Sequence, residues 1–65
     1  EINSLYDEGN FFLCLGKYEE AIKCYDRILK LTPYSKTALG YKGFALQKSN
    51  RRSEATHCYE KALNC

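Results

Sequence analysis

The sequence sets a histidine beside a cysteine, His57 and Cys58, and carries further thiols at Cys14, Cys24 and Cys65. Such residues can supply a nucleophile with its base, or ligands for a soft metal. A thiol nucleophile needs its base within hydrogen-bond reach, whereas neighbours on a helix point about 100° apart. His57 and Cys58 therefore diverge on a helix. A zinc site needs ligands at compact spacing, and the chain has no Cys-x-x-Cys or His-x3-His pair. It also has no glycine-rich phosphate loop, nucleophile elbow or His-Glu-x-x-His motif. The expectation is a chain that is not an enzyme, with no catalytic residues, no metal and no cofactor. The cysteines read as reduced thiols in a cytosolic setting, because Cys14, Cys24 and Cys58 fall at apolar positions of helical patterns and no secretory signal precedes them. A cytoplasmic location is expected accordingly.

What places these residues is a period. Shifted by 34 positions, the chain aligns Leu5 with Leu39, Gly9 with Gly43, Glu20 with Glu54, Ala21 with Ala55, Cys24 with Cys58, Tyr25 with Tyr59 and Leu29 with Leu63. These are seven identities in 31 pairs, where average composition gives roughly two. His57 falls opposite Lys23, a solvent-side polar position, and Cys24 and Cys58 are equivalent small fillers.

Each unit reads as two amphipathic helices. Ile2, Leu5, Gly9 and Phe12 recur at three- and four-residue steps, and Tyr18, Ala21, Ile22, Tyr25, Ile28 and Leu29 do the same after a break. Gly16 and its counterpart Asn50 mark the breaks, being the residue types most tolerant of a left-handed helix end. Pro33 stops the second helix, and Ser35 caps the third. Charge pairs are expected at Glu19 with Lys23 and Asp26 with Lys30. Helices are predicted over 2–15, 18–31, 36–49 and 52–64, giving an all-α chain with one helix-turn-helix unit over 1–35 and a second over 36–65.

A 34-residue period of two helices, carrying Leu5, Gly9, Phe12, Ala21, Tyr25 and Pro33, resembles the tetratricopeptide repeat. The second unit matches at Leu39, Gly43, Leu46, Ala55 and Tyr59 and departs at Arg52 and Thr56, where the first has Tyr18 and Ile22. The resemblance implies a short right-handed α-solenoid in which first helices line a concave groove for a partner's peptide or helix. It places Asn3, Tyr6, Asn10 and Leu13, with Thr37, Gly40, Phe44 and Gln47, in that groove. Helical spacing independently sets each of these quartets on one face. One subclass of the family grips chaperone carboxylates with lysine, asparagine and arginine. Here Asn10 matches its first asparagine, but Tyr6 and Tyr41 stand at other clamp positions, so an uncharged peptide or a helix fits better.

Other partners are less well supported. The net charge is +2 with signs interspersed, and Lys48, Arg51 and Arg52 form a small basic turn without an aromatic platform, so nucleic acid is not expected. No run reaches the roughly 20 apolar residues that span a bilayer, so no membrane partner is expected. Two repeats are fewer than the roughly three usually needed for stability. The expectation is that flanking repeats or self-association cover an end surface at Leu46, Tyr59 and Leu63. The rival to a peptide scaffold is a structural, self-associating segment with an empty groove.

Overall fold

A computed structural model describes the backbone of residues 2–64 and the side chains of residues 4–64. Four helices follow one another: α1 (Ile2–Cys14), α2 (Tyr18–Leu31), α3 (Lys36–Lys48) and α4 (Arg52–Asn64). The fold is all-α, and the helix ends fall within one residue of the sequence expectation. The small differences lie at Leu15 and Ser49, whose amides already close the terminal turns of α1 and α3.

The breaks have the same backbone chemistry twice. Gly16 takes φ +79° and Asn50 takes φ +67°. The Lys17 amide reaches back to the Phe12 carbonyl at 2.8 Å, and the Arg51 amide reaches back to Leu46 at 2.8 Å. Each left-handed residue lets the chain reverse while satisfying a helix-end carbonyl. At the junction between units, Thr32 closes α2 by bonding the Ile28 carbonyl through both its amide and its hydroxyl. Ser35 Oγ accepts the Ala38 amide at 3.3 Å, as an N-cap serine does.

Packing runs from each helix to the next in order, α1 on α2, α2 on α3 and α3 on α4. The result is a slab of 27 × 26 × 13 Å. Ala21, Tyr25, Ile28 and Ala38 form one buried cluster, and Ile22, Ala45, Leu46, Ala55 and Cys58 form a second. Leu13 packs against both.

Small residues let the paired helices close up. A Cβ built on Gly9 would lie 2.6 Å from the Tyr25 ring, and one on Gly43 would lie 2.7 Å from the Tyr59 ring. Only a glycine admits a ring at that distance, so the repeated Gly and Tyr are one packing device used twice.

Two expectations are corrected here. Glu19 and Asp26 serve between units: Glu19 pairs with Arg51 at 2.7 Å and Asp26 with Lys42 at 2.6 Å, in place of the local Lys23 and Lys30 pairings. Leu46 is not part of an end surface, since it is only 1% exposed within the second cluster. The reason is that α3 is flanked by α2 and α4, so its position 46 is enclosed from both sides.

Candidate functional site

Among the described residues, those singled out for their chemistry do not assemble into a reactive centre. Cys58 is buried while the adjacent His57 is exposed. Burial pushes the Cys58 thiol up, and burial followed by the nearby Glu8 carboxylate does the same for Cys24, so both favour the protonated state. Cys14 is exposed, and Cys65 lies outside the described residues. Among the described residues, no group of three histidine, cysteine, aspartate or glutamate side chains could hold a metal ion. Of the basic turn, Arg51 is occupied by Glu19 and Lys48 lies 5.4 Å from the centre of the Phe44 ring. Among the described residues no helix is long and apolar enough to cross a membrane.

The concave-face residues meet different fates. Leu13, Thr37, Gly40 and Phe44 come together around an open recess of about 530 Å³, joined by Lys36, Tyr41 and Tyr59. Its floor is set by Gly40, whose missing Cβ would meet nothing within 4 Å. Phe44 stands beside it, 41% exposed. Tyr6 and Asn10 are turned to structural use. The Tyr6 hydroxyl bonds Ser35 Oγ at 2.9 Å, and the Tyr25 hydroxyl donates to Asn10 Oδ1 at 2.9 Å. Gln47 Oε1 accepts from the Tyr59 hydroxyl at 3.2 Å and lies outside the recess. The side chain of Asn3 lies outside the described residues.

Tyr41 is the lining residue that matters most beyond the expected set. Its ring stacks on Tyr25 at 5.5 Å and 18°, and meets the edge of Tyr6 at 6.1 Å. The signal for it was present in the spacing, because Thr37, Tyr41 and Phe44 are four and three residues apart and share a helix face. Buried among these rings, and with Tyr41 beside it, the Tyr25 hydroxyl is pushed up to about 12.

The family model for the tetratricopeptide repeat matches residues 2–35. The chain belongs to the tetratricopeptide repeat family. Neither a curated protein nor a solved structure matches it significantly. The match covers the first helix pair and the turn after it, and the second pair repeats that packing with the same Gly and Tyr contact. Tetratricopeptide repeats generally mediate protein–protein interaction, and the family is typically a non-catalytic scaffold.

Proposed function

We propose that this chain is a protein-interaction scaffold, without catalysis or cofactor, that holds a partner's peptide or helix on the face built by α1 and α3. The observation that carries this reading is the recess at Gly40. It is open to solvent, its rim is aromatic, and its volume of about 530 Å³ accepts a large apolar side chain. A glycine inside a helix costs about 1 kcal/mol relative to alanine. Yet the space above Gly40 is empty, so helix packing within the chain does not require it. The open amide protons of Asn10 and Gln47, whose oxygens are engaged by tyrosines, remain for a partner's backbone carbonyls. The packed single thiols Cys24 and Cys58 suit a reducing compartment, and the cytoplasm is proposed on that ground.

The test is selection of peptides from a displayed random library against the chain, followed by Gly40→Leu. Enriched peptides are expected to share a large apolar residue, and Gly40→Leu is expected to weaken them about tenfold or more, since a fully buried side chain is worth about 1.5–3 kcal/mol. Loss of helix does not confuse the result, because leucine is a better helix former than glycine. Binding that is indifferent to Gly40→Leu would remove the recess from the site. A second reading, a structural or self-associating segment, draws on Leu63, which is 84% exposed on α4. It expects no enriched peptide and a molecular mass that rises with concentration.

A further inference from the structure

Three positions of the period change together. In the first unit, Leu13, Tyr18, Ala21, Ile22 and Tyr25 pack into the two apolar clusters that α3 completes. Moving on by 34 residues gives Gln47, Arg52, Ala55, Thr56 and Tyr59. The alanine and the second tyrosine are kept, whereas the leucine, the first tyrosine and the isoleucine become an amide, a guanidinium and a hydroxyl. These five residues of the second unit line one recess of about 370 Å³ between the end of α3 and the first half of α4.

Every polar side chain of this recess can donate a hydrogen bond. The Tyr59 hydroxyl donates to Gln47 Oε1 at 3.2 Å, which leaves the amide protons of Gln47 open. A guanidinium has donors only, and among the described residues no acid pairs with Arg52, although Glu19 holds the neighbouring Arg51. Thr56 adds a hydroxyl, and no carboxylate lines the recess. Contact with water admits acids and bases alike, so a wall that has donors and lacks acids points to an occupant rich in acceptors.

We propose that this recess binds a carboxylate. The Arg52 guanidinium pairs with its two oxygens, and Gln47 Nε2 and Thr56 Oγ1 donate to the lone pairs that remain. One amide proton of Gln47 serves here and the other remains for a backbone carbonyl. A single arginine balances the one charge of a carboxylate, whereas it would leave a phosphate dianion half-neutralised. The carboxylate belongs to an aspartate or glutamate of a partner segment or to a free organic acid, which present the same two oxygens. Tyr6, Asn10 and Tyr41, at the positions of the chaperone clamp, take no part. The recess shares only Tyr59 with the one at Gly40, so it does not depend on what that one holds.

The test follows the side-chain N–H signals of Gln47 and Arg52 by nuclear magnetic resonance while the chain is titrated at constant ionic strength. The probes are sodium acetate, the peptide acetyl-Ala-Glu-Ala-amide, its glutamine analogue, inorganic phosphate and sodium chloride. Saturable shifts are expected with acetate and the glutamate peptide and not with the glutamine peptide or chloride. Tighter binding of the peptide assigns the carboxylate to a partner segment, and tighter binding of acetate assigns it to a free acid. Arg52→Gln is expected to weaken binding about fivefold, the upper range for an exposed ion pair, and Thr56→Val about twofold. Arg52→Lys should recover only part of the loss, because an ammonium does not hold both oxygens in a plane. Arg52 and Thr56 are exposed, so these variants should leave the urea midpoint nearly unchanged and control for folding. Absence of saturable shifts, shifts that chloride reproduces, tighter binding of phosphate, or binding that survives Arg52→Gln overturns the proposal.

Discussion

Gly9, Gly40 and Gly43 share a residue type and differ in what surrounds them. The two ring contacts, 2.6 Å at Gly9 and 2.7 Å at Gly43, differ in the freedom of the ring. Tyr25 is 0% exposed and bonded to Asn10 at 2.9 Å, whereas Tyr59 is half-buried and held only by a longer, exposed bond to Gln47 at 3.2 Å. Gly9→Ala is therefore expected to cost about 1–3 kcal/mol, in the range of overpacked cores, and Gly43→Ala less. Gly40→Ala has open space and should stabilise by about 1 kcal/mol. Urea denaturation of the three variants checks the order. Tyr25 sets a second expectation, because its hydroxyl rises to about 12 in the fold while an unfolded tyrosine ionises near 10. Its contribution is whole below about pH 10. Between about pH 10 and pH 12 the unfolded chain gives up the proton and the folded one keeps it, so stability falls by about 1.4 kcal/mol per pH unit. Tyr25→Phe should flatten that loss in an alkaline denaturation series.

The helix breaks were legible because backbone conformation depends on residue type over very short distances. Gly16 and Asn50 occupy the same place in the period, and both take positive φ. Asn50→Ala should cost about 1–2 kcal/mol, the penalty of a Cβ in the left-handed region, while Asn50→Gly should be tolerated. Thermal unfolding by circular dichroism compares the two. The cap at Ser35 was legible for the same reason, but its second role was not. Its hydroxyl also bonds Tyr6, 29 residues earlier, and no local rule anticipates that. Glu19 and Asp26 make the same point. Helical spacing offers each a lysine four residues on, yet they pair with Arg51 and Lys42, which the fold brings across from the second unit.

Between the two helix pairs, attachment rests on a short set of contacts: Tyr41 on Tyr25 and Tyr6, Lys42 on Asp26, Arg51 on Glu19 and the shared apolar clusters. Helices that pack mainly on their neighbours in sequence form a nearly one-dimensional object, whose stability is a sum over units and the seams between them. Weakening the seam should therefore uncouple the pairs before it unfolds either. Tyr41→Ala removes two aromatic contacts at about 0.5–1.5 kcal/mol each. It is expected to broaden the urea transition and to expose α3 and α4 amides to hydrogen exchange ahead of α2. A single sharp transition in that variant, with uniform exchange, would show that the four helices fold as one unit instead.

Read alone, the residues determined the helices, their ends and the period, because each of these depends on neighbours a few positions away or on the same pattern occurring twice. Leu46 and the groove were decided only in three dimensions. Whether position 46 faces water depends on how many helices flank α3, and whether Asn10 or Gln47 is free for a partner depends on where a tyrosine hydroxyl from the next helix comes to rest. Those are properties of distances between segments, and distances between segments are set by packing of the whole chain rather than by any one stretch of it.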